Sequence, residues 1–126
     1  MSTNEKHVLI VDDSQDIRNL LKIILESKGY STHCSSNGEE ALSSLNLGSR
    51  LPDVILLDLR MPVMSGYDFI MQQRKNLALK DIPIIVMSGD DDTSLTRAQA
   101  DPENILRKPI SMSSILEAVK KNTRLH

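Results

Sequence analysis

Three short apolar runs, each stopping abruptly at a polar residue, constrain this chain more than any other feature. Val8-Leu9-Ile10-Val11 ends at Asp12-Asp13, Val54-Ile55-Leu56-Leu57 at Asp58, and Ile84-Ile85-Val86-Met87 at Ser88-Gly89. Unbroken apolar runs of this length read as strands covered on both faces. Stretches of helical period separate them. Ile17, Leu20, Leu21, Ile24 and Leu25 repeat on one helix face, with Ser14 as cap and Gly29 as stop. Asn37, with Glu40 in the first turn, opens a second helix; Ala41, Leu42 and Leu45 form its apolar face and Gly48 ends it.

The remaining segments fit the same alternation. Tyr30 through Cys34 is more polar and predicts a strand at a sheet edge. A loop with Pro62 and Gly66 leads to a helix through about Asn76. Residues 90–103 are polar and weakly periodic, which predicts a short or poorly formed helix. Asn104-Ile105-Leu106 is a short last strand, and Ser111 caps a final helix with Ile115, Leu116 and Val119 facing inward. Strands alternating with helices imply an α/β fold, with a parallel sheet, right-handed crossovers and helices on both faces.

With 126 residues the chain makes one domain, 1–126, able to bury a core without staples. Hydrophobic residues at 40% and charged ones at 25% exclude disorder, and a net charge of -2 with scattered Lys and Arg argues against direct nucleic-acid binding. The single cysteine, Cys34, cannot pair within the chain and reads as a small strand residue. No apolar run spans a membrane and residues 1–6 are polar, so a cytoplasmic location with no membrane contact is expected. His7 and His33 lack partners at zinc spacing.

In an open parallel sheet, ligands bind beyond the carboxyl ends of the strands. Those ends carry Asp12, Asp13, Asp58, Ser88 and, near the last strand, Lys108. Clustered carboxylates repel, and at least one pKa rises unless a cation enters. Hard oxygen ligands in an incomplete cage suit Mg²⁺, which shares its sphere with phosphate. A carboxylate can attack phosphorus, Lys108 can neutralise phosphoryl oxygens, and Ser88 can donate a hydrogen bond to one. Taken alone, each residue has a plainer reading. A strand-end Asp is often only a cap, a Ser a turn residue, and Lys-Pro an ordinary loop. Convergence of all of them on one rim favours the chemical reading.

These residues resemble the receiver domains of two-component response regulators, of the single-domain kind typified by chemotaxis regulators. The resemblance covers nearly the whole chain. It rests on Val8 through Asp13, on Asp58-Leu59-Arg60-Met61-Pro62 with Gly66, on Val86-Met87-Ser88-Gly89, and on Lys108-Pro109. It implies a flavodoxin-like sheet of order 2-1-3-4-5 and a role in bacterial phosphorelay signalling. Asp58 would be the phosphoacceptor. Asp13 would bind Mg²⁺ directly and Asp12 mainly through water, with the carbonyl of Arg60 as a further ligand. Ser88 would be the switch hydroxyl and Lys108 the bridge to the phosphoryl group. The donor would be a sensor histidine kinase or phosphotransfer protein. The output partner and the oligomeric state stay open, and no activity beyond self-phosphorylation and autodephosphorylation is implied.

Two departures from the family pattern stand out. Ile105 occupies the position of a Tyr or Phe, and Ile has no ring or hydroxyl to follow the switch hydroxyl. The stretch between Ser88 and Lys108 is slightly short and contains Pro102. Asp90-Asp91-Asp92 begins that stretch and reads either as a solvated loop with Asp92 or Thr93 capping a helix, or as a charge run that repels small anionic phosphodonors. Two rival readings remain: a receiver-like module that binds proteins without phosphorylation, and a metal-dependent phosphohydrolase. The second lacks the Asp such hydrolases carry two residues after the nucleophile, where Arg60 stands here.

Overall fold

The structure is a computed structural model describing residues 5–46, 50–59, 63–89 and 104–123. Its elements run β1 (His7–Val11), α1 (Gln15–Ser27), β2 (Ser31–Ser35), α2 (Gly38–Leu45), β3 (Val54–Asp58), α3 (Gly66–Arg74), β4 (Ile84–Ser88), β5 (Ile105–Arg107) and α4 (Met112–Asn122). The strands form one sheet of order β2-β1-β3-β4-β5, and every neighbouring pair is parallel. The expected helix over 90–103, with Asp90 to Asp92 and Pro102, lies outside the described residues, as do Gly48 and Pro62.

The period of two along each strand divides the core. Leu9, Val11, Ile55, Leu57 and Val86 face α2 and α3, where Ala41, Leu45, Phe69 and Ile70 close over them. Val8, Ile10, Val54, Leu56, Ile85 and Met87 face α1 and α4 and meet Leu21, Leu25, Ile115 and Val119. The central strands are thus covered on both sides, which is why they read as unbroken apolar runs. β2 lies at the edge, as its polarity predicts.

Helix ends follow local chemistry. The side-chain oxygens of Ser14, Asn37, Ser65 and Ser111 each accept a first-turn backbone N–H. Glu40 reaches back to the backbone N–H of Ser36, at 2.8 Å, one residue before the cap. Gly29 takes φ +95 just after α1, a left-handed conformation that suits glycine.

Two features depart from the sequence reading. Helical spacing puts Ile17 and Leu20 on the core face, yet they are 41% and 44% exposed. The apolar arc of α1 is wider than the sheet beneath it, so Leu21 and Leu25 fill the buried sector and the flank stays open. Gly66, expected in a loop, is the first residue of α3. Its N–H donates to the Leu59 carbonyl at 2.9 Å, which presses the start of α3 against the end of β3.

Side-chain amides hold the far end of the sheet. Gln73 donates to the carbonyls of Leu79 and Ile82 and so closes the turn after α3. Asn104 and Asn122 exchange two hydrogen bonds, at 3.1 and 3.0 Å, and join the residue before β5 to the last residue of α4.

Candidate functional site

The register of the sheet assembles the acidic site. Val11 pairs with Leu57 across β1 and β3, so the residues that follow, Asp12 and Asp58, emerge side by side. Both continue the strand alternation on the α1 side of the sheet. One carboxylate oxygen from each of Asp12, Asp13 and Asp58 lies within 4.8 Å of the others. Asp12 is 3% and Asp58 5% exposed, whereas Asp13 faces solvent. Lys108 Nζ sits 3.3 Å from Asp58 Oδ1.

Asp12 is held at three points. Its N–H donates to the Ser35 carbonyl at 3.1 Å, its Oδ1 accepts the Ser14 N–H at 2.9 Å, and its carbonyl accepts from Arg18 Nη1 at 2.7 Å. Ser88 ends β4 and is 2% exposed. The backbone N–H of Lys108 donates to its carbonyl at 2.7 Å, which brings the end of β5 to the same rim. The Lys108–Pro109 peptide is cis. Asp12, Asp13, Asp58 and Lys108 therefore meet at the carboxyl ends of the strands, and Ser88 ends β4 at the same rim, joined to Lys108 through its backbone carbonyl. The Arg60 carbonyl lies outside the described residues.

Burial pushes the Asp12 carboxyl above the usual carboxylate range. The charges of Asp58 and Asp13 push it the same way, against the Ser14 hydrogen bond and the Lys108 ammonium. An acid whose folded pKa is raised keeps a proton that the unfolded chain has already lost. Folding stability therefore falls as pH rises through that window, and the full cost is present above it. Asp12→Asn keeps the oxygen that accepts from Ser14 and removes the charge. In metal-free buffer at neutral pH it should unfold at higher urea than the parent, and the gap should close as pH falls toward about 4. Equal midpoints at neutral pH would refute the assignment.

The carboxylates open into a cleft of about 380 Å³. Ile17 and Leu20 of α1 form one wall, and Pro109, Ile110 and Met112 another. The periodicity of α1 gives these two residues an apolar role but not this location. It gives Arg18 only a place on a polar face, and nothing in its spacing marks the contact with Asp12. Ile105 is half-buried and packs against the core beneath α2 and α3, as an aliphatic side chain would.

A five-stranded, doubly wound parallel sheet with three carboxylates and a lysine on its carboxyl rim defines a flavodoxin-like domain. The family model "Response regulator receiver domain" matches residues 8–120, and the chain belongs to that family. A probable transcriptional regulator, ycf27, of Guillardia theta is 35% identical over 98% of this chain and 48% of its own length. The chain thus spans about half of that relative, and 51% of the ycf27 regulator of Cyanophora paradoxa. The two-component response regulator ORR3 of Oryza sativa is 33% identical over 88% of this chain and 86% of its own. Among solved structures, chemotaxis protein CheY4 of Vibrio cholerae matches with TM-score 0.82 at 28% identity, covering 93% of this chain and 98% of its own. A response regulator receiver protein from Pseudomonas putida matches with TM-score 0.81 at 30% identity, covering 93% and 97%. Among the described residues no helix is long and apolar enough to cross a membrane.

Proposed function

We propose that this receiver domain is a phosphoacceptor switch that takes a phosphoryl group on Asp58 from a phosphohistidine donor. The observation that carries this reading is a buried carboxylate, Asp58, facing two further carboxylates and an ammonium at 3.3 Å. Asp58 would attack phosphorus; its new O–P bond replaces the P–N bond, and the donor imidazole leaves. Lys108 neutralises charge on the transferred group, and the Ser88 hydroxyl donates a hydrogen bond to it.

The donor set fits Mg²⁺. It offers hard oxygens only, three carboxylates with an oxygen each within 4.8 Å of the others and a single ammonium beside them. Asp13, Asp12, Asp58 and the Arg60 carbonyl would hold the ion. When bound, Mg²⁺ would neutralise the carboxylates and share a phosphoryl oxygen. The donor protein would be a sensor histidine kinase or a phosphotransfer protein. The domain would act stoichiometrically and not as an enzyme on an external substrate.

Intact mass spectrometry after incubation with acetyl phosphate checks this. One phosphoryl group per chain is expected with Mg²⁺, on the peptide that contains Asp58, and none in EDTA. A parent protein that stays unmodified in Mg²⁺ sinks the proposal. Ile105, lacking an aromatic ring, favours one alternative: a receiver-like module that signals by protein contact alone. Failure of backbone amides at the strand ends to respond to Mg²⁺ would favour that module.

A further inference from the structure

Arg18 projects from the start of α1, where its backbone N–H donates to the Ser14 carbonyl at 3.0 Å. Its half-buried side chain turns back toward the site, and Nη1 donates to the Asp12 carbonyl at 2.7 Å. This oxygen belongs to the same planar unit as the Asp13 N–H. Fixing it sets the plane from which the Asp13 side chain departs.

The two acidic neighbours differ in what else holds them. The Asp12 carboxylate is anchored by the Ser14 N–H. Among the described residues no hydrogen bond or ion pair holds the Asp13 carboxylate, and Asp13 is exposed. Its aim depends on the backbone beneath it. We infer that Arg18 is a positioning residue of the acidic site: by gripping the Asp12 carbonyl it directs the Asp13 carboxylate toward Asp12 and Asp58. The inference rests on the cation-binding reading of the site. An arginine that merely caps a turn carbonyl would leave cation affinity unchanged. One that positions a ligand affects affinity, as groups supporting metal ligands generally do.

The test uses metal-stripped protein titrated with Mg²⁺ by calorimetry. Arg18→Met keeps the length of the side chain and removes the donor. It should bind Mg²⁺ about tenfold more weakly than the parent. Arg18→Lys retains a terminal donor and should fall between the two. In the metal-free state, the Asp13 amide resonance should shift in Arg18→Met while amides of β4 stay in place. Phosphorylation by acetyl phosphate should need more Mg²⁺ for half-saturation but reach the parental rate at saturation. A dissociation constant for Arg18→Met within twofold of the parent's overturns the inference. So does a reduced saturating rate with an unchanged Mg²⁺ midpoint. If the parent itself binds no Mg²⁺, the reading of the site fails, and the inference with it.

Discussion

Asp58→Asn should carry no phosphoryl group under conditions that label the parent. The substitution changes one oxygen for nitrogen, and the amide still fills a site where Asp58 is 5% exposed, so the fold should persist by circular dichroism. What disappears is the proposed nucleophile, because a neutral amide does not attack phosphorus as a carboxylate does. Mg²⁺ affinity should fall as well, since one of three converging carboxylates becomes a weaker ligand. The two readouts separate the roles of the residue. Labelling equal to the parent would place the chemistry on another side chain. Lost labelling with unchanged Mg²⁺ affinity would leave Asp58 as acceptor and remove it from the ligand set.

Gly66→Ala should be the most damaging glycine-to-alanine change among the described residues. A Cβ at this position would lie 2.7 Å from Leu59 Cα, 2.8 Å from the Asp58 carbonyl oxygen and 3.1 Å from that of Leu59. Every one of these atoms is backbone, so no side chain can swing away. The constraint is one of space, with α3 docked against the end of β3 by the Gly66 N–H. Overpacking of this kind costs about 1–3 kcal/mol or more, which lowers the thermal midpoint by roughly 4–12 °C. The collision reaches the backbone carbonyl of Asp58, the proposed acceptor, as well as Leu59 beside it. Phosphorylation of the folded fraction should therefore slow too, which a distant destabilising change would not cause. An unchanged Tm would show that α3 slides along the sheet at little cost. By contrast, a Cβ at Gly29 meets no atom within 4 Å, and its difficulty is the backbone angle alone.

The central strands are legible in the sequence because a strand covered on both faces has no polar side to show. Val54 to Leu57 could hardly be anything else. The rim follows from the same fact, since each run ends at a residue with a charge or a hydroxyl. Caps are legible because Ser14, Asn37 and Ser111 bond to their own helices, a matter of a few residues. What is not legible depends on contacts distant in the chain. The period of α1 gives the phase of its apolar arc but not which flank the sheet will cover, so it puts Ile17 and Leu20 in the core. Gly66 looks like any loop glycine until the path of β3 beside it is known. Arg18 sits on a polar face, and only the fold brings its guanidinium back to Asp12.

The paired amides of Asn104 and Asn122 bear on how this domain comes apart. The two residues are 18 positions apart, and their double hydrogen bond closes β5, the turn after it and α4 into a ring of chain. Closing a ring removes freedom from everything inside it. The strand and helix should consequently open and re-form together, as one cooperative unit. Lys108 lies at the end of that ring farthest from its clasp. The cation that faces Asp58 thus belongs to a piece of the molecule fastened at the opposite end of the sheet.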